Sequence, residues 1–482
     1  MFDPLLLLFF APLIAAFFLF AMVKVSSKWT KAFAAICSMV PLFILILTPK
    51  LLGRSYDVLW FKPLSIHFNL SIDSLTLIFL YLTALITPIA IITGPIKNLS
   101  HPNIFYGFIL FLQALLIGFF STKDLALFTI FWEAMLIPLY FIINIWGGKN
   151  RQFAAMQFLL YMIAGSALLV FAVIALYFAA SSFNFDELAK LSSTMPYAGW
   201  YFFIFLVAFA VKTPLFPFHG WLIDTYCEAP KTATILLAAL LSKAGIYGVI
   251  RILMGIFPLY MQMASPYVVC LAVIGVLYGA LAALAEIDMK RLIAYSSFSH
   301  VNFIFAALFV WNGYALAGGL FQVVTHSIVI AALFIIVGYL IDWLKTSDMQ
   351  LTGGLARKIP AVCWLTLFFI MANVSLPGTA NFVGELLVLF GVFQMSWWVA
   401  AILGLSVIVS ATYALRFQRK VFFGQEGVAT VSSGIIDVRL TYFAVIAPLV
   451  IATLWLGIYP RPLLELIEPV VKQIHLIDLL EH

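Results

Sequence analysis

Charge is what this 482-residue chain has least of: Lys, Arg, Asp and Glu together make up 10% of it, against 65% hydrophobic residues. Soluble domains draw about a quarter of their residues from those four types. With a mean hydropathy of +1.12, the soluble globular class is excluded and the chain reads as an integral membrane protein. Cysteine is scarce as well. Cys37, Cys227, Cys270 and Cys363 are scattered without a C-x-x-C pair, so neither an iron–sulfur cluster nor a structural zinc site is signalled, and all four read as packing residues. There is no G-x-G-x-x-G turn and no G-x-x-x-x-G-K-[ST] loop, which sends any nucleotide chemistry to another polypeptide. The chain is therefore expected to bind no metal or cofactor and to carry no catalytic residue of its own.

What is present is apolar length. Windows bounded by charge or turn residues fall at 4–22, 32–48, 72–96, 103–121, 125–146, 153–180, 200–222, 232–254, 267–285, 292–310, 314–341, 362–394, 397–418 and 441–459. The expectation is one all-α membrane domain over 1–482 with about 14 transmembrane helices. The N-terminal run has no basic segment and is too long for a secretory signal, so it reads as a retained first span. An even count puts both termini on one side. Loops on the opposite side carry sixteen of the 26 Lys and Arg, and those on the terminus side eight, so the termini are expected on the outer face. The net charge of +6 is thus a matter of topology, not of nucleic acid. The 47 Phe read as bundle and lipid packing rather than a quinone pocket.

Two windows are interrupted, 200–222 by Lys212-Thr213-Pro214 and Pro217, and 362–394 by Leu376-Pro377-Gly378. These are spans 7 and 12, the fourth helices of two expected five-helix units, 103–254 and 267–418. Matched broken helices are the sequence pointer to inverted repeats around a transport site.

Four ionisable residues lie well inside spans: Glu133, Lys212, Lys243 and Glu385. A mid-membrane charge costs about 2.5–3.5 kcal/mol, so the four must face the bundle interior. One reading is helix glue, with Glu133 and Lys212 as a buried ion pair. Against it stand the alternating signs and the prolines: Pro138 removes a donor from the Ala134 carbonyl, and Pro214 and Pro217 from those of Ala210 and Thr213. Freed carbonyls at membrane depth need water or protein donors, which suggests a wet ion path. Lysine suits such a path because a moving carboxylate switches it between holding and releasing a proton. His300 and His326 read as helix-packing donors or relays, with their place between the lysines and Glu385 in chain order favouring relays, and His219, at the end of span 7, as an interfacial or gating residue. The charged stretch Asp288–Arg291 reads as interfacial anchoring.

The strings FWEAMLIPLYFII, AFAVKTPLFPFHGWL, DMKRLIAYSSFSH and SLPGTANFVGELLVLFGVF together resemble the antiporter-like subunits of respiratory complex I, above all the M type of bacterial NADH-quinone oxidoreductase. The resemblance runs from span 4 through span 13. It implies fourteen helices, inverted five-helix repeats and proton transfer along a central axis. Glu133 resembles the glutamate that pairs with Lys212, Lys243 the central lysine, His300 and His326 the connecting histidines, and Glu385 the distal proton-transfer residue. A glutamate at 385 favours the M type, since L- and N-type chains and sodium/proton antiporter subunits usually carry lysine there. The resemblance also implies partners: L- and N-type membrane chains, and through them a peripheral arm holding NADH, flavin, iron–sulfur clusters and quinone, in a bacterial inner membrane. Rival assignments are a multisubunit sodium/proton antiporter, a ferredoxin- or hydrogenase-linked complex, and a structural anchor. The stretch after span 7 departs from the family. Ile223 stands where relatives commonly have proline, and Lys231 follows, which puts the geometry of 223–234 in question.

Overall fold

The computed structural model describes residues 3–22, 26–95, 99–192, 195–432, 437 and 440–481. The first helix, α1 (Pro4–Ala21), is capped by Asp3, whose side chain accepts from the Leu5 amide at 2.9 Å. After α2 (Ser27–Leu47) comes an antiparallel hairpin, β1 (Ser55–Phe61) and β2 (Ile66–Ser71), the one sheet among the described residues and a departure from the all-helical expectation. Its β-branched and aromatic residues pair across a turn at Ser65, and Asp124 holds it by accepting from the His67 amide at 3.1 Å.

Helices then follow one another closely: α3 (Ser74–Thr93), α4 (Pro102–Ser121), α5 (Leu125–Ala134), α6 (Leu136–Trp146) and α7 (Arg151–Ala180). α5 and α6 share one apolar window, interrupted at Met135 because Pro138 cannot donate back to Ala134. A short α8 (Phe185–Leu191) leads to α9 (Ala198–Lys212) and α10 (Gly220–Glu228), the two pieces of the window broken at its prolines. α11 (Lys231–Leu236) and α12 (Ser242–Gly248) are joined and followed by π-helical turns at Leu237–Leu241 and Val249–Met254, so Lys243 sits between two widened turns of one continuous rod. Three long helices come next: α13 (Pro258–Ala285), α14 (Met289–Phe309) and α15 (Gly313–Leu344). A turn, α16 (Leu355–Lys358), precedes the second broken window, α17 (Pro360–Asn373) and α18 (Ala380–Met395), whose break includes Gly378 at φ +89°, a backbone that favours glycine. The chain closes with α19 (Trp397–Phe422), α20 (Val428–Ser432), α21 (Leu440–Ile458) and an amphipathic α22 (Arg461–Glu481).

Among the described residues, eleven helical segments are long and apolar enough to cross a membrane. A twelfth results if the pair Tyr442–Ile458 and Arg461–Gln473, bent by 69°, is taken as one. The windows at 200–222 and 362–394 are absent from that count because their helices are broken short. The rod 231–254, α14 and α15 are buried along nearly their whole length and form the centre, whereas α2 and α7 expose large apolar residues such as Trp29, Phe171 and Phe178 at the periphery. Lys243, His300 and His326 therefore sit on the innermost helices.

Two junctions echo each other. Asp124 caps α5, and its neighbours pair with the strand-like start of α8: Leu125 N to Phe183 O at 2.8 Å and Phe185 N to Lys123 O at 3.1 Å. Asp288 caps α14, with Met289 N to Ser347 O at 2.8 Å and Met349 N to Ile287 O at 2.9 Å. The bridges Asp124–Asn184 and Asp288–Asp348 have the same antiparallel form and the same sequence separation.

The segment 223–234 is well tied despite its unusual sequence. With isoleucine at 223, α10 continues unbroken to Glu228. Thr234 Oγ1 donates to the carbonyls of Tyr226 (3.0 Å) and Ala229 (3.1 Å), and Lys231 Nζ meets Asp342 Oδ2 of α15 at 2.7 Å.

Candidate functional site

Lys212 is the last residue of α9, buried at 1% exposure, and reaches back towards the break in the α5–α6 window. Its Nζ donates to the Trp132 carbonyl at 3.3 Å and lies 3.7 Å over the Trp132 ring. Carbonyls in the last turn of a helix lack helical donors, and an indole face is the best uncharged partner for a desolvated cation. Trp132 is itself fixed by its Nε1 donating to Ser166 Oγ at 3.2 Å. The direct ion pair with Glu133 is not formed: among the described residues no oxygen of Glu133 comes within 4.0 Å of Lys212. Glu133 is close enough to act on the lysine electrostatically, and its Oε1 is buried without a hydrogen-bond partner. The interruption at Met135 accounts for the difference, since it offers the ammonium a backbone acceptor before the carboxylate. The break in span 7 also departs from expectation. The Ala210 carbonyl is not free but accepts from Leu215 N at 2.8 Å, and the Val211 carbonyl accepts from Trp221 Nε1 at 3.0 Å.

The helix of Lys243 presses directly on this turn. A Cβ on Gly245 would meet the Thr213 hydroxyl and come within 2.9 Å of the Phe209 carbonyl, so only glycine permits the approach. Lys243 is fully buried, and its Nζ donates to Ala238 O (2.5 Å) and Ser242 Oγ (3.2 Å) and contacts His326 Nδ1 (3.1 Å). The π-helical turn at 237–241 places the Ala238 carbonyl where the lysine can use it. His326 and His300 face each other with ring centroids 5.4 Å apart. His326, not His300, is thus the histidine that touches the central lysine. His219 stands apart from this chain, packed among Phe216, Tyr278 and Phe298 at the mouth of the break.

Glu385 is buried on α18, with Oε2 unpaired. Between it and the histidines lie groups the sequence reading passed over. Asn373 donates to Ser296 Oγ at 2.9 Å, which shares a proton with Tyr413 OH at 2.7 Å; Gln322 packs against Gly384, the residue before Glu385. The signal was available. Ser296 and Gln322 stand one helical turn before His300 and His326, and Asn381 one turn before Glu385, on the same faces of apolar helices. Among the described residues the Nε2 atoms of His300, His326 and Gln322, Asn373 Oδ1 and both polar atoms of the Asn381 amide are buried and unpaired. Buried polar atoms without protein partners take water. The groups from Trp132 to Glu385 therefore form a discontinuous buried polar axis, with no cluster of His, Cys, Asp or Glu suited to a metal ion among the described residues.

A sequence profile described as NADH:quinone oxidoreductase/Mrp antiporter, TM matches residues 122–410. NADH-quinone oxidoreductase subunit M of Rhodobacter capsulatus is 36% identical over 469 residues, covering 93% of this chain and 90% of its own. The subunit M of Escherichia coli K12 is 34% identical, covering 85% and 83%. Among solved structures, a chain of respiratory complex I from Thermus thermophilus with bound NADH superposes with a TM-score of 0.88 at 28% identity, covering 98% of this chain and 99% of that one. A chain of the Mrp complex from Dietzia shares the fold, with a TM-score of 0.86 at 21% identity. The chain belongs to the NADH:quinone oxidoreductase/Mrp antiporter transmembrane family, in its branch of NADH-quinone oxidoreductase M subunits.

Proposed function

We propose that this chain is the proton-translocating M-type membrane subunit of an NADH-quinone oxidoreductase, and that Glu133, Lys212, Lys243, His326, His300 and Glu385 carry its protons. The contact between the Lys243 ammonium and His326 Nδ1 at 3.1 Å, in a fully buried setting, is the observation that carries the assignment. A cation held against a ring nitrogen is poised to hand over a proton, which a charge retained for helix packing alone has no need to do. Electron transfer from NADH to quinone, through flavin and iron–sulfur clusters, takes place in partner subunits. Energy released there shifts Glu133 relative to Lys212. The proton then passes between the lysines across the Gly245 contact, from Lys243 to His326 and His300, and through the hydrated amides and Tyr413 to Glu385. Each transfer needs a donor and an acceptor within one hydrogen bond or one water.

The same reading takes the broken windows as spans 7 and 12 of fourteen and the units 103–254 and 267–418 as inverted repeats. The matched junctions at Asp124 and Asp288 support it. Five crossings separate them, the broken window included, which is an odd number and sets equivalent caps on opposite faces. Both termini then lie on the outer face of a bacterial inner membrane, beside L- and N-type chains. Membrane vesicles supply the test. NADH should drive acidification of the lumen in sodium-free medium; a requirement for sodium, or exchange of sodium for protons without NADH, would point instead to an antiporter.

A further inference from the structure

The segment from Thr213 to Pro230 belongs to the first repeat in sequence and is tied to its own repeat by bonds such as Gln157 Nε2 to Gly220 O, yet side chains of α14, in the second, hold both of its ends. At its start lies Asn302, 1% exposed. Its Oδ1 accepts from the Phe216 amide at 3.2 Å, and its Nδ2 donates to Pro214 O at 3.3 Å and to Phe298 O at 2.9 Å. Pro214 and Pro217 have no amide hydrogen, so a helical ladder cannot satisfy this backbone, and buried backbone groups need partners. At its far end Lys290 Nζ donates to Cys227 O and Ala229 O, both at 2.9 Å, and Arg291 Nη1 meets Asp224 Oδ1 at 3.0 Å. Lys290 thereby satisfies terminal carbonyls of α10 where a cation also complements the helix dipole.

One helix therefore grips both ends of the broken segment. That helix also carries His300, two residues from Asn302. Room for the amide is made on α13, where a Cβ on Gly275 would collide with Asn302, 2.6 Å from its Cγ. Glycine at 275 and asparagine at 302 form a matched pair.

We propose that Asn302 is a positioning residue for Lys212. By holding the backbone at Pro214 and Phe216 from α14, it fixes the turn from which Lys212 reaches Trp132, and it makes that turn and the His300 helix move as one body. Conformational change in one repeat is thus delivered to the proton carrier of the other. The proposal rests on the reading of Lys212 as a proton carrier.

Two variants disturb the amide from different helices. Asn302→Leu replaces it with an apolar group, and Gly275→Ala displaces it without removing any polar group. In the purified, assembled complex both are expected to raise hydrogen exchange of the 214–219 backbone about fivefold, the loss of one hydrogen bond, and to lower NADH-to-quinone turnover about threefold or more. The double variant with alanine at both positions should be little worse than Asn302→Ala alone, because alanine at 302 lacks the Cγ and amide that Gly275→Ala would strike and leaves only a Cβ–Cβ approach of 3.2 Å, which a shift of a few tenths of an ångström relieves. A general packing defect would instead make the two effects add. If Asn302→Leu does not assemble, Gly275→Ala carries the test. Native exchange rates at 214–219 overturn the proposal, and so does faster exchange with native turnover while Lys212→Ala is impaired. Native turnover in Lys212→Ala overturns the reading beneath it too, and so marks that failure apart.

Discussion

Lys243→Ala is expected to leave the complex assembled and to cut NADH-to-quinone turnover about tenfold or more, since a positioned proton carrier is worth at least that much. The expectation comes from the lysine's partners. A charge kept as helix glue would face a carboxylate, but Lys243 meets a carbonyl, a hydroxyl and a ring nitrogen, and its three donors are all engaged. Truncation removes a charge that is costly to bury and leaves acceptors that water can satisfy, so the effect on assembly is small beside the effect on transfer. Lys243→Arg sharpens the test. Arginine keeps the positive charge but does not give up its proton, so it should be as inactive as alanine. Turnover measured with the amount of assembled complex normalised decides the matter; native turnover in either variant removes Lys243 from the path.

Glu385→Gln is the second large expected effect. Glutamine matches glutamate in shape and can occupy the same site on α18, but it neither accepts nor releases a proton. Because Glu385 Oε2 makes no close hydrogen bond and the Ser375 hydroxyl beside the carboxyl can equally meet an amide, little hydrogen bonding is lost with the charge. Coupled turnover should again fall about tenfold or more, while Glu385→Asp, which keeps a titratable carboxyl, should retain a measurable part of it. Equal activity in the Gln and Asp variants would mean that the carboxyl serves packing alone.

How much of this was legible in the sequence follows from what membrane burial costs. Charges in apolar windows stand out because each needs an interior partner, so Glu133, Lys212, Lys243 and Glu385 could be read directly. Prolines marked both broken windows for a similar reason. Uncharged polar residues cost less at membrane depth and stand out less, and Ser296, Gln322, Asn373 and Asn302 went unread, although for Ser296 and Gln322 the four-residue spacing to His300 and His326 held the clue. Partners were harder still. That Lys212 would choose the Trp132 carbonyl and ring over the Glu133 carboxylate depends on where α5 breaks, and that His326 would reach Lys243 before His300 depends on how α15 lies against the rod 231–254. Neither is a local property of the chain. The hairpin at 55–71 escaped notice although Val58, Trp60, Ile66 and Phe68 mark it, because a two-stranded hairpin is marginal by itself and this one is held by Asp124, distant in sequence.

The central claim is that protons pass through this chain by way of Lys212. Its most direct measurement is the number of protons moved per NADH oxidised by purified complex in sealed vesicles, compared between native protein and Lys212→Ala. Transfer through Lys212 predicts that turnover drops about tenfold or more in the variant and that the remaining oxidation moves fewer protons per electron. An unchanged ratio at unchanged turnover would contradict it.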